Sequence, residues 1–163
     1  MIERKENPFK KSWTRSRMAE GFWHKVAAWF FAPRFDRIRI EESVVQDICA
    51  LARGAHPKET IAFLTGSIHK EGKGKERGRV LVIDGLYLKA YDASEYSTSF
   101  TTHDLPADNV YGTVHSHPGF SNRPSAADKR LFQRYGWFHA IICQPYTEQS
   151  IRYYNKYGEP IEL

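Results

Sequence analysis

Near the start of the chain, Met18, Phe22, Val26 and Trp29 recur at helical spacing. Trp23 and Phe30 widen this stripe, and Arg17, Glu20, His24 and Lys25 stand opposite. Such a pattern predicts an amphipathic helix over residues 16–32, stopped by Pro33. Charged and apolar positions alternate over residues 37–40, which predicts a short strand, before Val44, Val45, Ile48, Cys49 and Leu51 return to helical spacing ahead of Gly54. Residues 60–68 and 79–88 read as strands joined by the charged, glycine-containing stretch 69–78, a hairpin connection. A weaker strand candidate covers residues 96–102. A stronger one, rich in β-branched and aromatic side chains, covers residues 110–115. A helix over residues 126–135 and closing strands over 138–143 and 151–154 complete the order.

Strands and helices mix without a regular alternation, so the expected class is α/β in the mixed, α+β-like sense, with a sheet flanked by helices. At 163 residues the chain suits one domain plus an extension. With 41% apolar and 14% aromatic residues it has enough material for a packed interior and is not a disordered chain. The net charge of +5 is unevenly spread: residues 1–34 hold eight Lys/Arg against three Glu, and the remainder balances. We therefore divide the chain into a basic amphipathic extension, residues 1–34, and a domain over residues 35–163. The two cysteines, Cys49 and Cys143, form no C-x-x-C pair and no disulfide framework, which points to a reducing, cytoplasmic setting. The apolar run at residues 26–32 is far shorter than the roughly 20 residues that span a bilayer. It also lacks the surroundings of a secretory signal.

The chemistry concentrates in His115-Ser116-His117-Pro118-Gly119, followed by Pro124-Ser125-Ala126-Ala127-Asp128. At a strand end, residues two apart point to one side, so His115 and His117 can present both imidazoles to one point. Asp128 falls in the first turn of the next helix and can face back toward them. Two histidines and a carboxylate with one position left open form the ligand set of a hydrolytic zinc site. Ser125-x-x-Asp128 also has the form of a capping box, yet a cap alone accounts for neither histidine. A hydrolytic metal needs a base, and Glu59 at the head of an apolar strand is a candidate. Periodicity does not separate it from Glu41, Glu42 or Glu95.

The His-Ser-His-Pro run, the ten residues between His117 and Asp128, the Pro-Ser before the helix, and a Glu leading an apolar strand to Gly66 together resemble the JAMM (MPN-plus) metalloproteases. The resemblance spans roughly residues 35–163. It implies the MPN fold, a curved, mostly antiparallel sheet flanked by helices and related to cytidine deaminases. It also implies that His115, His117 and Asp128 bind one catalytic zinc ion. Glu59 then becomes the general acid/base, and Ser125 helps to stabilise the tetrahedral intermediate. Ala62 departs from the glycine that the family often has three residues after that Glu. The implied activity is deubiquitinase-like: cleavage of a peptide or isopeptide bond after the C-terminal tail of a ubiquitin-like or sulfur-carrier protein.

Other functions are weighed against the same residues. A structural zinc site in a non-catalytic interaction module would need a fourth ligand such as His103 or His139. These two, like His24, His56 and His69, read more simply as surface or core residues. A nucleoside deaminase would pair H-x-E with P-C-x-x-C, and that pair is not present. Binding of nucleic acid through the basic extension would need a recognised nucleic-acid fold beside the charge and aromatics. Residues 92–109 are candidates to line a groove for an extended substrate tail. For residues 16–32 the expected roles are packing on the domain, self-association, or peripheral contact with an anionic membrane surface. Co-sedimentation with anionic vesicles at low salt separates the last from the others: equal recovery in the supernatant with and without lipid removes the membrane role.

Overall fold

A computed structural model describes residues 35–74, 77–88 and 109–163. The amphipathic stretch 16–32, the strand candidate 96–102 and most of the proposed groove lie outside the described residues. Within them, strand β1 (Arg37–Ile40) leads to helix α1 (Glu42–Ala55), then to the long strands β2 (Ile61–Glu71) and β3 (Gly78–Tyr87). Strand β4 (Val110–Ser116), helix α2 (Ala126–Arg134) and strand β5 (Phe138–Ile142) follow as a crossover unit. A short 3-10 turn (Glu148–Ser150), β6 (Ile151–Asn155) and β7 (Pro160–Ile161) finish the order.

Among the described residues the strands form one sheet in the order β1-β3-β2-β4-β5-β6-β7. β1 runs parallel to β3 and β4 parallel to β5, and the other neighbours are antiparallel. Register shifts near Thr65 interrupt β2 against both of its neighbours. Bulges of this kind bend a strand and add twist, which curls the sheet.

Period-two alternation assigns each strand residue to a face. Ala62, Leu64, Leu81, Ile83, Val114, Phe138, Ala140 and Ile142 form one core with Val44, Ile48, Cys49 and Ala52 of α1. Those helical positions share one stripe, and Glu42 in the first turn and Arg53 in the last complement the helix dipole. On the opposite face, Phe132 of α2 packs with Ile141 and Tyr154. Each fully buried large side chain of this sort contributes about 1.5–3 kcal/mol. Ala62 sits in the α1-side core at 0% exposure, opposite Val114, so the departure from glycine there fills space in the interior. Both cysteines are buried and unpaired.

The elements follow the expected order, with boundaries displaced at most by a few residues. Strand β2 runs on to Glu71, which shortens the flexible connection expected over 69–78. Strand β7 was not expected because its Pro160–Ile161 pair carries no periodicity, and it forms only by addition to β6.

Glycines set how close β4 lies to the start of β5. A Cβ on Gly112 would collide with the backbone carbonyl of Phe138, and Gly136, at φ +101°, turns the chain against the Tyr111 carbonyl. The Trp137 N–H then donates to Tyr111 O at 2.8 Å. Gly112→Ala forces these strands apart, and overpacking of this kind costs about 1–3 kcal/mol. We expect a matching fall in the denaturant midpoint with an unchanged m-value.

Candidate metal centre

The site stands at the carboxyl end of β4, where the chain leaves the sheet to enter α2 and returns as the parallel strand β5. Open sheets place ligands at the carboxyl ends of their strands, beside helix N-termini. Thr113, His115 and, by continued alternation, His117 point to the α2 side. Ile61 pairs with His115, and one step back the Ser116 N–H donates to the Thr60 carbonyl at 2.9 Å. The Thr60 N–H returns a hydrogen bond to Ser116 Oγ, also at 2.9 Å. Glu59 immediately precedes this pairing, at the same end of the sheet as His117. Glu59 is exposed, and its charge helps to raise the His117 pKa.

Asp128 joins the parts. It is 7% exposed, and its two oxygens lie 3.2 Å from His115 Nδ1 and 3.4 Å from His117 Nε2. It also completes the helix cap: Ser125 N–H donates to Asp128 Oδ2 at 2.7 Å, and Asp128 N–H donates to Ser125 Oγ at 3.1 Å. The capping box and the metal-type cluster, which the sequence presents as alternatives, are thus the same residues serving both purposes. Burial pushes the Asp128 carboxyl up, but hydrogen bonds from His115, His117 and Ser125 outweigh it and hold the group far below the usual carboxylate range. His117 is raised, first by its hydrogen bond to Asp128 and against the effect of burial.

Hydrogen-bond logic shows what this arrangement can hold. His117 Nδ1 lies 2.9 Å from the Ser121 carbonyl, an acceptor, so Nδ1 carries the proton. In the neutral ring Nε2 is then a bare lone pair facing a carboxylate oxygen. Two acceptors face each other stably only with a cation between them. A proton can fill that role, and so can a metal ion whose ligand is oriented by a carbonyl on the far nitrogen. His115 Nε2 is buried without a hydrogen-bond partner. The side chains are not spaced as a finished metal cage, since no such group of three His, Cys, Asp or Glu occurs among the described residues. Their chemistry nevertheless fits zinc, with two nitrogen donors, one carboxylate and an ionised state held in place.

Comparison with known proteins decides the family. Residues 41–155 match the prokaryotic homologs of the JAB domain. The chain belongs to that family. It is 31% identical over 109 residues to a probable metalloprotease of Haloferax volcanii, an alignment covering 66% of each chain and so just under two thirds of that relative's length. It is also similar in structure to a JAB1/MPN domain protein from Archaeoglobus fulgidus, with TM-score 0.55 and 36% identity over 77% of this chain and 93% of that one. A structure described as a JAMM metalloprotease-like zinc site in the proteasome and signalosome aligns with TM-score 0.54 and 36% identity, over 77% and 94% of the two chains. The fold is accordingly the MPN/JAB fold, and zinc is the metal of the site so described. No helix among the described residues is long and apolar enough to cross a membrane.

Several parts of this JAB-family site carry no sequence signal. Gln144, just after β5, donates from its side chain to the Pro118 carbonyl and from its N–H to the Gly119 carbonyl, pinning the turn after His117. Tyr154 Oη donates to the Asn122 carbonyl at 2.8 Å. Phe132, one turn beyond Asp128, meets the His115 ring edge-on at 6.1 Å and stacks on His139 at 4.2 Å. His103 lies outside the described residues, and His69 is exposed and bonded to Ser67.

His139 belongs to the core. It is fully buried, with Nδ1 at 3.2 Å from the Thr113 N–H and 3.0 Å from Thr113 Oγ1. An imidazole that accepts from a backbone N–H keeps that nitrogen bare, and burial, aided by His115, holds its pKa down to about 3. The unfolded value is about 6.5, so between these limits the unfolded chain binds the extra proton. The stability contribution is complete above the unfolded value and is lost as pH falls, by up to about 1.4 kcal/mol per pH unit. In metal-free protein, His139→Gln is expected to flatten the pH dependence of unfolding free energy between pH 6 and about 3. Parallel curves for the two proteins would refute the buried neutral imidazole.

Proposed function

We propose that this JAB-domain chain is a zinc-dependent peptidase or isopeptidase. Its substrate on this reading is the bond that follows the C-terminal tail of a ubiquitin-like or sulfur-carrier protein. The observation that carries the proposal is the convergence of His115, His117 and Asp128 at the end of β4, with the exposed Glu59 near enough for its charge to act on His117. His115, His117 and Asp128 would hold the ion. Zinc supplies a Lewis acid that polarises a carbonyl and makes water acidic enough to react near neutral pH.

The protein's own groups do the rest. Glu59 accepts the proton of the attacking water and passes it to the leaving amine, a role open to a carboxylate at the solvent edge of the site. Asp128 stays ionised and aligns both imidazoles. Ser125 uses a lone pair to cap α2, so its hydroxyl proton remains free to donate toward an oxyanion. That double duty separates it from Glu59. The Gly-Gly end of a ubiquitin-like tail, extended and without side chains, suits approach to a centre whose His115 and Asp128 are buried at a strand end.

Incubating the zinc-loaded protein with ubiquitin-like fusions from the same cell, with and without a chelator, tests the proposal. Glu59→Gln is expected to keep zinc and lose roughly 10²–10⁴-fold in turnover. His117→Ala is expected to lose both zinc and activity. Ser125→Ala should lower kcat by about 10²–10³-fold and also cost about 1 kcal/mol of stability through the cap. Full activity in zinc-loaded Glu59→Gln removes Glu59 as the base. Zinc binding without cleavage of any fusion favours an interaction module.

A further inference from the structure

We propose that Tyr146 is a positioning residue that fixes the Glu59-bearing turn against the His117 backbone; the role rests on Glu59 being the base. Tyr146 is 5% exposed and lies just beyond β5, far in sequence from both groups. Its hydroxyl is 3.0 Å from His56 Nδ1 and 3.4 Å from the carbonyl of His117. A carbonyl only accepts, so the phenol donates to His117 and offers its lone pair to the Nδ1–H of His56. The two rings also meet edge-on, with centroids 5.8 Å apart.

One hydroxyl therefore ties a residue of the turn between α1 and β2 to a residue of the metal centre. Glu59 sits between two anchors. On one side the Thr60 N–H is held by Ser116 Oγ, and on the other His56 is held by Tyr146. The Lys58 N–H closes the turn locally on the Ala55 carbonyl at 2.9 Å, but among the described residues only the Tyr146 contact ties that turn to His117, since regular β2 pairing starts at Ile61.

The backbone supports a dedicated role. Tyr146 has φ 59°, the only positive value recorded for a non-glycine among the described residues. Bulky side chains avoid this region, and residues held there cluster where geometry serves function. Its N–H is fixed to the Cys143 carbonyl at 2.8 Å, and Gln144 of the same turn holds the Pro118 and Gly119 carbonyls. The segment thus grips both sides of the site. None of this contact is available to the sheet pairing alone.

Tyr146→Phe in the zinc-loaded full chain keeps the ring and removes both hydrogen bonds. We expect zinc content unchanged and amide exchange at Lys58, Glu59 and Thr60 accelerated by about 5–10-fold, with core strands unaffected. On a ubiquitin-like fusion, kcat should fall about 10–100-fold with KM unchanged. In a Glu59→Gln background, Tyr146→Phe should cause no further loss. His56→Ala, which removes the same contact from an exposed residue, should reproduce the exchange effect. Unchanged exchange at these amides, or an equal loss of kcat with Glu59 already removed, overturns the proposal. If the wild-type protein cleaves no fusion, it is the peptidase function that fails, and the exchange measurement still decides whether Tyr146 holds the turn.

Discussion

A single buried carboxylate organises this molecule's functional end. Asp128 is removed from water, which disfavours its charge, and it remains ionised because the Ser125 N–H and two imidazoles all address it. Each partner reaches it by a different structural route. The cap requires the helix to begin at Ala126, and the imidazoles require β4 to end where it does. The strand end, the helix start and the ionised state are therefore one problem with one solution. Shifting any of them by a residue would leave a buried charge without its partners, which is among the more costly defects a fold can carry.

The rest of the sheet serves to hold that strand end in place. The β4-to-β5 pairing and the glycines at 112 and 136 bring Phe138 against β4, so that His139 can stack under Phe132 and Phe132 can in turn support His115. The α1-side core fills the other face. Residues of opposite parity on β4 thus divide the labour: Val114 anchors the strand in the interior, and His115 faces the site. Ser116 turns its hydroxyl to the incoming β2 chain.

Much of the architecture was legible in the sequence because its periodicities were undisturbed by the site. The strand Arg37–Ile40 and the helix around Ile48 appear where the pattern put them. The histidine pair and Asp128 were legible from spacing alone, since strand period and helix start bring nearby residues together. Glu59 was not separable by pattern from other glutamates and needed the family resemblance. The pairing of β2 with β4 starts two residues after Glu59, at Ile61 opposite His115. His139, weighed as a spare ligand, proved to be a core residue, and no local pattern distinguishes the two fates. Tyr146, His56 and Gln144 act across the fold, so neither their spacing nor their composition could announce them.

The proposed donors and the proposed base differ in how far along the chain they must travel to meet. His115, His117 and Asp128 come from one short stretch, while the contact that seats Glu59 joins Thr60 to Ser116, 56 residues apart. Loop-closure entropy grows with that distance, and contacts between distant segments form later and more slowly. On the proposed roles, the ligands for the ion are neighbours along the chain, whereas the base is seated by a contact between distant segments.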